Sequence, residues 1–120
     1  MKFMCIVKAR EPKDQPLQPP QALFGAIDDL AKEATAKGAF AGMGGLLPTA
    51  KGASARLAKG KITITDGPFA EAKEVIGGYA IYDVKDKAEA VEWTRRFLQL
   101  HIDHWPGFEC EVEVRQMMEF

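Results

Sequence analysis

Cysteine and histidine are scarce in this chain of 120 residues: there are two of each, and no histidine precedes His101. Cys5 and Cys110 are too few for the disulfide framework of a small secreted domain, and no leader-like pattern opens the sequence. Cytoplasmic location with two reduced thiols is the expectation. Long apolar runs are missing as well. Phe3 to Val7 is far shorter than the roughly 18 apolar residues of a spanning helix, so no membrane partner is expected. Neither sign of charge dominates: 16 basic residues face 17 acidic ones, for a net charge of -1. A nucleic-acid binder usually carries a basic stripe that neutralises phosphates, and here the basic residues are scattered among acids. Cys-x-x-Cys and His-Glu-x-x-His are absent, no serine sits in a nucleophile elbow, and no activating residue flanks either cysteine. Neither a metal nor a cofactor is expected, and covalent catalysis has no candidate.

What is present describes one globular domain over residues 1–120, with 47% hydrophobic and 28% charged residues. Phe3 to Val7 reads as a central strand apolar on both faces. Glu11 to Pro20 holds four of the seven prolines and reads as a loop. Leu23, Ile27, Leu30, Ala31 and Ala34 recur at helical spacing, with Pro20 suited to the first turn and Gly38 as the stop. Ala39 to Leu47 reads as a strand with or without a bulge. Its Gly42-Met43-Gly44-Gly45 lacks the third glycine and the following helix of a dinucleotide loop, and points to close backbone approach instead. Ala55 to Leu57 and Ile62 to Thr65 alternate about a Lys59-Gly60 turn, as a hairpin does.

Gly78 to Val84 is a further strand. Asp86 with Glu89 makes a capping-box start for a second helix. The expected buried face of that helix is Ala90, Val91, Thr94, Phe97, Leu98, His101 and Ile102, and Trp105-Pro106-Gly107 ends it. Cys110 to Gln116 alternates apolar and charged residues, as a strand with one buried face would. The resulting order, β-α-β(β)β-α-β, predicts an α+β, ferredoxin-like domain with both helices on one sheet face. An open apolar face then predicts a homodimer, sheet against sheet.

The densest chemistry lies in Thr65-Asp66-Gly67-Pro68-Phe69-Ala70-Glu71-Ala72-Lys73-Glu74, a breaker followed by acids and a lysine. With Gly77-Gly78, the strand Tyr79 to Val84, and Ala90 and Trp93 in the next helix, this passage resembles the YCII-related family and its DGPF subgroup. Lys2 to Val7 and Glu113-Val114-Arg115 fit the terminal strands of that family more loosely. The resemblance implies a ferredoxin-like domain that forms a dimeric α/β barrel. It implies no set activity: some such proteins accompany extracytoplasmic-function sigma factors, and a distant relative is a dehydrochlorinase. A His-Asp pair with its histidine in the first helical region is proposed for some members, and this chain has no histidine there.

Asp66 and His101 are the candidate catalytic residues, as base or orienter and as second proton carrier. Gly67, Pro68, Phe69, Glu71, Lys73, Glu74, Tyr79 and Trp105 are the ligand-binding or loop-shaping residues around them. A small organic ligand and lyase- or isomerase-like proton transfer fit this set, against a non-catalytic regulatory or interaction module. Each residue also has a structural reading. Asp66 before a glycine can cap its own turn through the backbone two residues on. His101 continues an apolar stripe, where a histidine satisfied by a carbonyl is common. His101 and His104 have a metal-ligand spacing, but two ligands make no site.

Overall fold

A computed structural model describes residues 1–12, 17–69 and 74–120. The elements are β1 (Lys2–Ala9), α1 (Gln21–Ala36), β2 (Phe40–Gly45), a 3₁₀ turn (Thr49–Lys51), β3 (Ala53–Ala58), β4 (Lys61–Asp66), β5 (Val75–Asp83), α2 (Lys87–His104) and β6 (Glu111–Gln116). Strands β2, β5, β1 and β6 form one antiparallel sheet in that order, and β3 and β4 form a separate two-stranded sheet. Setting the hairpin aside, the order is that of a ferredoxin-like α+β fold.

Local chemistry explains where the helices begin and end. Pro20 precedes α1 in an extended conformation, and Gly38 at φ 71° closes it. There Ala39 N–H donates to Ala34 C=O at 2.9 Å and Gly38 N–H to Thr35 C=O at 3.0 Å, the paired bonds that satisfy the last carbonyls of a helix. At α2, Asp86 accepts from Glu89 N–H at 2.9 Å. The Glu89 carboxylate returns to Lys85 N–H, one residue upstream of the usual box partner.

The core lies between the helices and one sheet face: Phe3, Cys5, Leu30, Ala34, Ala39, Tyr82, Val84, Ala90 and Trp93. Trp93 stacks on Tyr82 with ring centroids 5.8 Å apart, and Phe40 meets Tyr82 edge-on at 6.0 Å. Arg96 lies 5.0 Å above Trp93 and pairs with Glu33, which ties α2 to α1 over the indole. The buried face of α2 differs from the periodicity reading in one respect. Trp93 is in the core while Ile102 is 66% exposed, because the helix rolls its N-terminal half onto Tyr82 and turns Ile102 outward.

Register sends Met4, Ile6, Tyr79 and Ile81 to the opposite face, with Glu111, Glu113 and Arg115 beside them on β6. Among the described residues no helix covers that side, and the four apolar residues are half-buried. The glycine-rich β2 lies close to β5. A Cβ on Gly44 would sit 2.8 Å from the Tyr79 ring, and one on Gly78 would sit 2.9 Å from Gly44 C=O.

Two stability experiments follow from this core. Trp93→Ala is expected to cost about 3–5 kcal/mol in urea unfolding, and Ile102→Ala no more than about 0.5. Burial pushes the Tyr82 phenol up to about 12, aided by the neighbouring Cys5 thiol and opposed by Arg96. An unfolded tyrosine titrates near 10, so this contribution is whole below about pH 10 and is lost as pH rises towards 12. Alkaline unfolding curves are expected to lose stability over that window, and Tyr82→Phe to flatten the loss.

Candidate functional site

The Asp66 loop is held by a knot of three chain segments. Gly67 N–H donates to Gly52 C=O at 2.9 Å, which extends the β3–β4 ladder beyond Asp66. Any Cβ at Gly67 would overlap the Thr49 carbonyl oxygen, so only glycine fits there. The Gly67–Pro68 peptide is cis. Thr49 is the centre of the knot. Its N–H donates to Glu11 at 2.6 Å, its hydroxyl donates to the other oxygen of the same carboxylate, and the hydroxyl accepts from Phe69 N–H at 3.2 Å.

Self-capping by Asp66 does not survive inspection of this turn. The residue two positions on is Pro68, which has no N–H to offer. Thr49 supplies the bond to Phe69 instead. Asp66 itself is exposed, and it shares a face of the hairpin with Ile64 and Ile62. Glu71 and Lys73 lie outside the described residues. Glu74 is exposed and lies near Lys8 on the open sheet face. Lys8 bonds Glu113 at 3.2 Å, and Arg115 bonds the same carboxylate at 3.1 Å. Hydrogen bonds from Lys8 and then Arg115 hold the Glu113 carboxyl below its usual range, while Glu113, Glu111 and Glu74 raise Lys8.

His101 occupies a different place. Near the C-terminal end of α2 it is 8% exposed, with Nδ1 3.0 Å from Phe97 C=O. A carbonyl only accepts, so in the neutral ring Nδ1 carries the proton and Nε2 keeps its lone pair. The ring packs 4.6 Å from Phe97 and 5.7 Å from Phe108, and Trp105 stacks on Phe108 at 4.0 Å. Gly107 at φ 89° lets the chain fold back after the helix so that these rings meet. His101, Trp105, Phe108, Leu98, Ile102, Cys110 and the exposed Glu109 line a cleft of roughly 490 Å³. Burial pushes the Cys110 thiol up, which keeps it protonated at neutral pH.

Of the residues singled out from the sequence, His101 and Trp105 come together. Asp66, Phe69 and Tyr79 are not among the cleft residues, and Tyr79 lies on the sheet face opposite the helices. Gly67 and Phe69 shape the Asp66 loop. Among the described residues, no three of His, Cys, Asp and Glu gather as a metal-binding group. Glu11, Thr49, Lys8 and Phe108 were not singled out. Glu11 lies in a proline-rich stretch 38 residues from Thr49, and nothing local to either residue announces the pairing. Phe108 carried a weak signal, since an aromatic just past a Pro-Gly stop is well placed to fold onto the helix end.

The YCII-related domain model matches residues 1–117, and the chain belongs to that family. No curated protein matches the chain.

Thr49→Val keeps the shape of the side chain and removes the hydroxyl that joins Glu11 to Phe69. It is expected to cost about 1–3 kcal/mol in denaturant unfolding, as the Glu11 oxygen and Phe69 N–H lose a partner together. Hydrogen exchange at Phe69 should accelerate in the same variant.

Proposed function

We propose that this member of the YCII-related family is a homodimer of the DGPF kind that binds a small organic molecule in the cleft at the end of α2 and moves a proton on it. The carrying observation is the 3.0 Å contact of His101 Nδ1 with Phe97 C=O: a carbonyl only accepts, so Nδ1 is the donor and Nε2 is left as a base among aromatic rings. An acidic C–H or O–H of the ligand gives its proton to Nε2. The resulting imidazolium lies near the carbonyl end of a helix, where positive charge is favoured. Return of that proton to a second ligand atom completes an isomerisation, and departure of a leaving group completes a lyase step. Trp105 and Phe108 supply a flat apolar floor, and Glu109 offers a carboxylate beside it. Asp66 is not among the described residues that line this cleft, so in this reading it would reach the same reaction only from a second copy.

A regulatory or interaction module, in the manner of a companion to an extracytoplasmic-function sigma factor, is the competing reading. The observation that favours it is the uncovered hairpin, whose residues are all exposed.

A thermal-shift panel of small phenols and enolisable ketones separates the two. At least one compound at about 100 times its dissociation constant is expected to stabilise the wild type by about 2.7 kcal/mol. His101→Gln should keep the unligated midpoint and lose the shift, and turnover on any substrate so found should fall about 10²–10⁴-fold. A panel with no stabilising compound, or a shift that His101→Gln leaves intact, would overturn the cleft as the site.

A further inference from the structure

The chain around the His101 cleft carries no fixed positive charge. Between Arg96 and Arg115 it has Asp103, Glu109, Glu111 and Glu113 and neither lysine nor arginine. Three of these carboxylates are engaged: Asp103 accepts from Gln99, and Glu111 and Glu113 meet Lys8. Glu109 lines the cleft and is exposed, and no ion pair reaches it among the described residues. The last carbonyls of α2 add partial negative charge at the same end.

The rings of the cleft have the same preference, because the face of an indole attracts cations. Trp93 already has two from its own chain, Lys37 at 5.6 Å and Arg96 at 5.0 Å. Trp105 has none among the described residues. It lies 4.0 Å from Phe108 with the planes 4° apart, so a third flat ring can continue the stack. His101 supplies the polar contact. It is 8% exposed, its Nδ1 is taken by Phe97 C=O, and Nε2 has no partner among the described residues. Every side-chain nitrogen or oxygen among them that is fully shut off from solvent has a hydrogen bond, so Nε2 is open, and His101 lines this cleft. In the neutral ring Nε2 accepts, as the Glu109 carboxylate does. The side-chain donors of the lining are Trp105 N–H and Cys110 S–H, and neither is charged.

We infer that the cleft takes an aromatic cation: a flat ring that bears an ammonium group, with the ring against Trp105 and Phe108 and the ammonium at Glu109. The inference rests on the small-molecule reading of the cleft above and names the class of ligand. Carboxylates and phosphates are disfavoured, because no side chain of the lining neutralises them and Glu109 repels them. An uncharged analogue keeps the stack and loses the pair with Glu109. The ammonium donates to Glu109, which leaves an O–H or C–H of the ligand for Nε2. Selection by charge and transfer of a proton thus fall to different side chains.

Calorimetry of the full chain near neutral pH with phenethylammonium, phenethyl alcohol and hydrocinnamate tests the class, since the three share a ring and differ in charge. The ammonium is expected to bind about fivefold more tightly than the alcohol and at least about tenfold more tightly than the carboxylate. Alkylation of Cys110, followed by peptide mass, places the ligand: a bound ring should slow it, while buried Cys5 reports any unfolding. Glu109→Gln should bring the ammonium and the alcohol to within about twofold of each other, and Glu109→Lys should make the carboxylate the tightest of the three. Trp105→Leu should weaken all three, with circular dichroism to confirm folding of each variant. If none of the three protects Cys110, the cleft falls as the site and this inference falls with it. If the alcohol or the carboxylate binds as tightly as the ammonium, or the Glu109 variants leave the order unchanged, the cleft stands and the aromatic cation is overturned.

Discussion

Two helices cover one face of a four-stranded sheet, and that limit organises this molecule. The covered side takes the large side chains: Trp93 lies flat on Tyr82, with Phe3, Cys5 and Leu30 around them. The other side keeps only what β1 and β5 place there by alternation, namely Met4, Ile6, Tyr79 and Ile81. Both strands are central, so neither can alternate apolar and polar residues as an edge strand does. β6, at the edge, does alternate, and its charges gather on the open side. The uneven distribution of apolar surface follows from the strand order.

The same limit decides how much was legible in the sequence. Strand and helix positions depend on local pattern and stop signals, so the Schellman close at Gly38 and the Lys59-Gly60 turn could be anticipated. Lys59 takes φ 53° and Gly60 φ 74°, as a tight hairpin turn requires. The roll of α2 was not legible in that way. Trp93 and Ile102 are nine positions apart, 180° round an ideal helix, and periodicity alone favoured the side that carries Ile102. The deciding contact is with Tyr82, on a different element. Glu11 and Thr49 were hidden for a similar reason, since a hydrogen bond across 38 residues leaves no mark on either local sequence.

The Asp66 loop shows how a conspicuous motif can be made of structural parts. Gly67 is required because a carbonyl oxygen occupies the space of a side chain. Pro68 removes the donor that Asp66 would otherwise have used. Phe69 N–H is satisfied by a threonine from another segment. With these three positions accounted for by packing and hydrogen bonding, Asp66 is left as the residue of the turn whose chemistry the turn itself does not consume. Its side chain is exposed, and Thr49 rather than Asp66 caps Phe69 N–H.

The proposed proton carrier and the motif thus belong to different parts of the chain. His101 is set by a helix end, an aromatic cluster and a backbone carbonyl, none of which belongs to the loop. Asp66 is set by a hairpin that shares no sheet with β1, β5 or β6. A carboxylate acts on a bound molecule only when it comes within hydrogen-bonding reach. Gly67 continues the hairpin ladder through Gly52, and Thr49 holds Phe69, so the loop is the joint that fixes the direction of the hairpin.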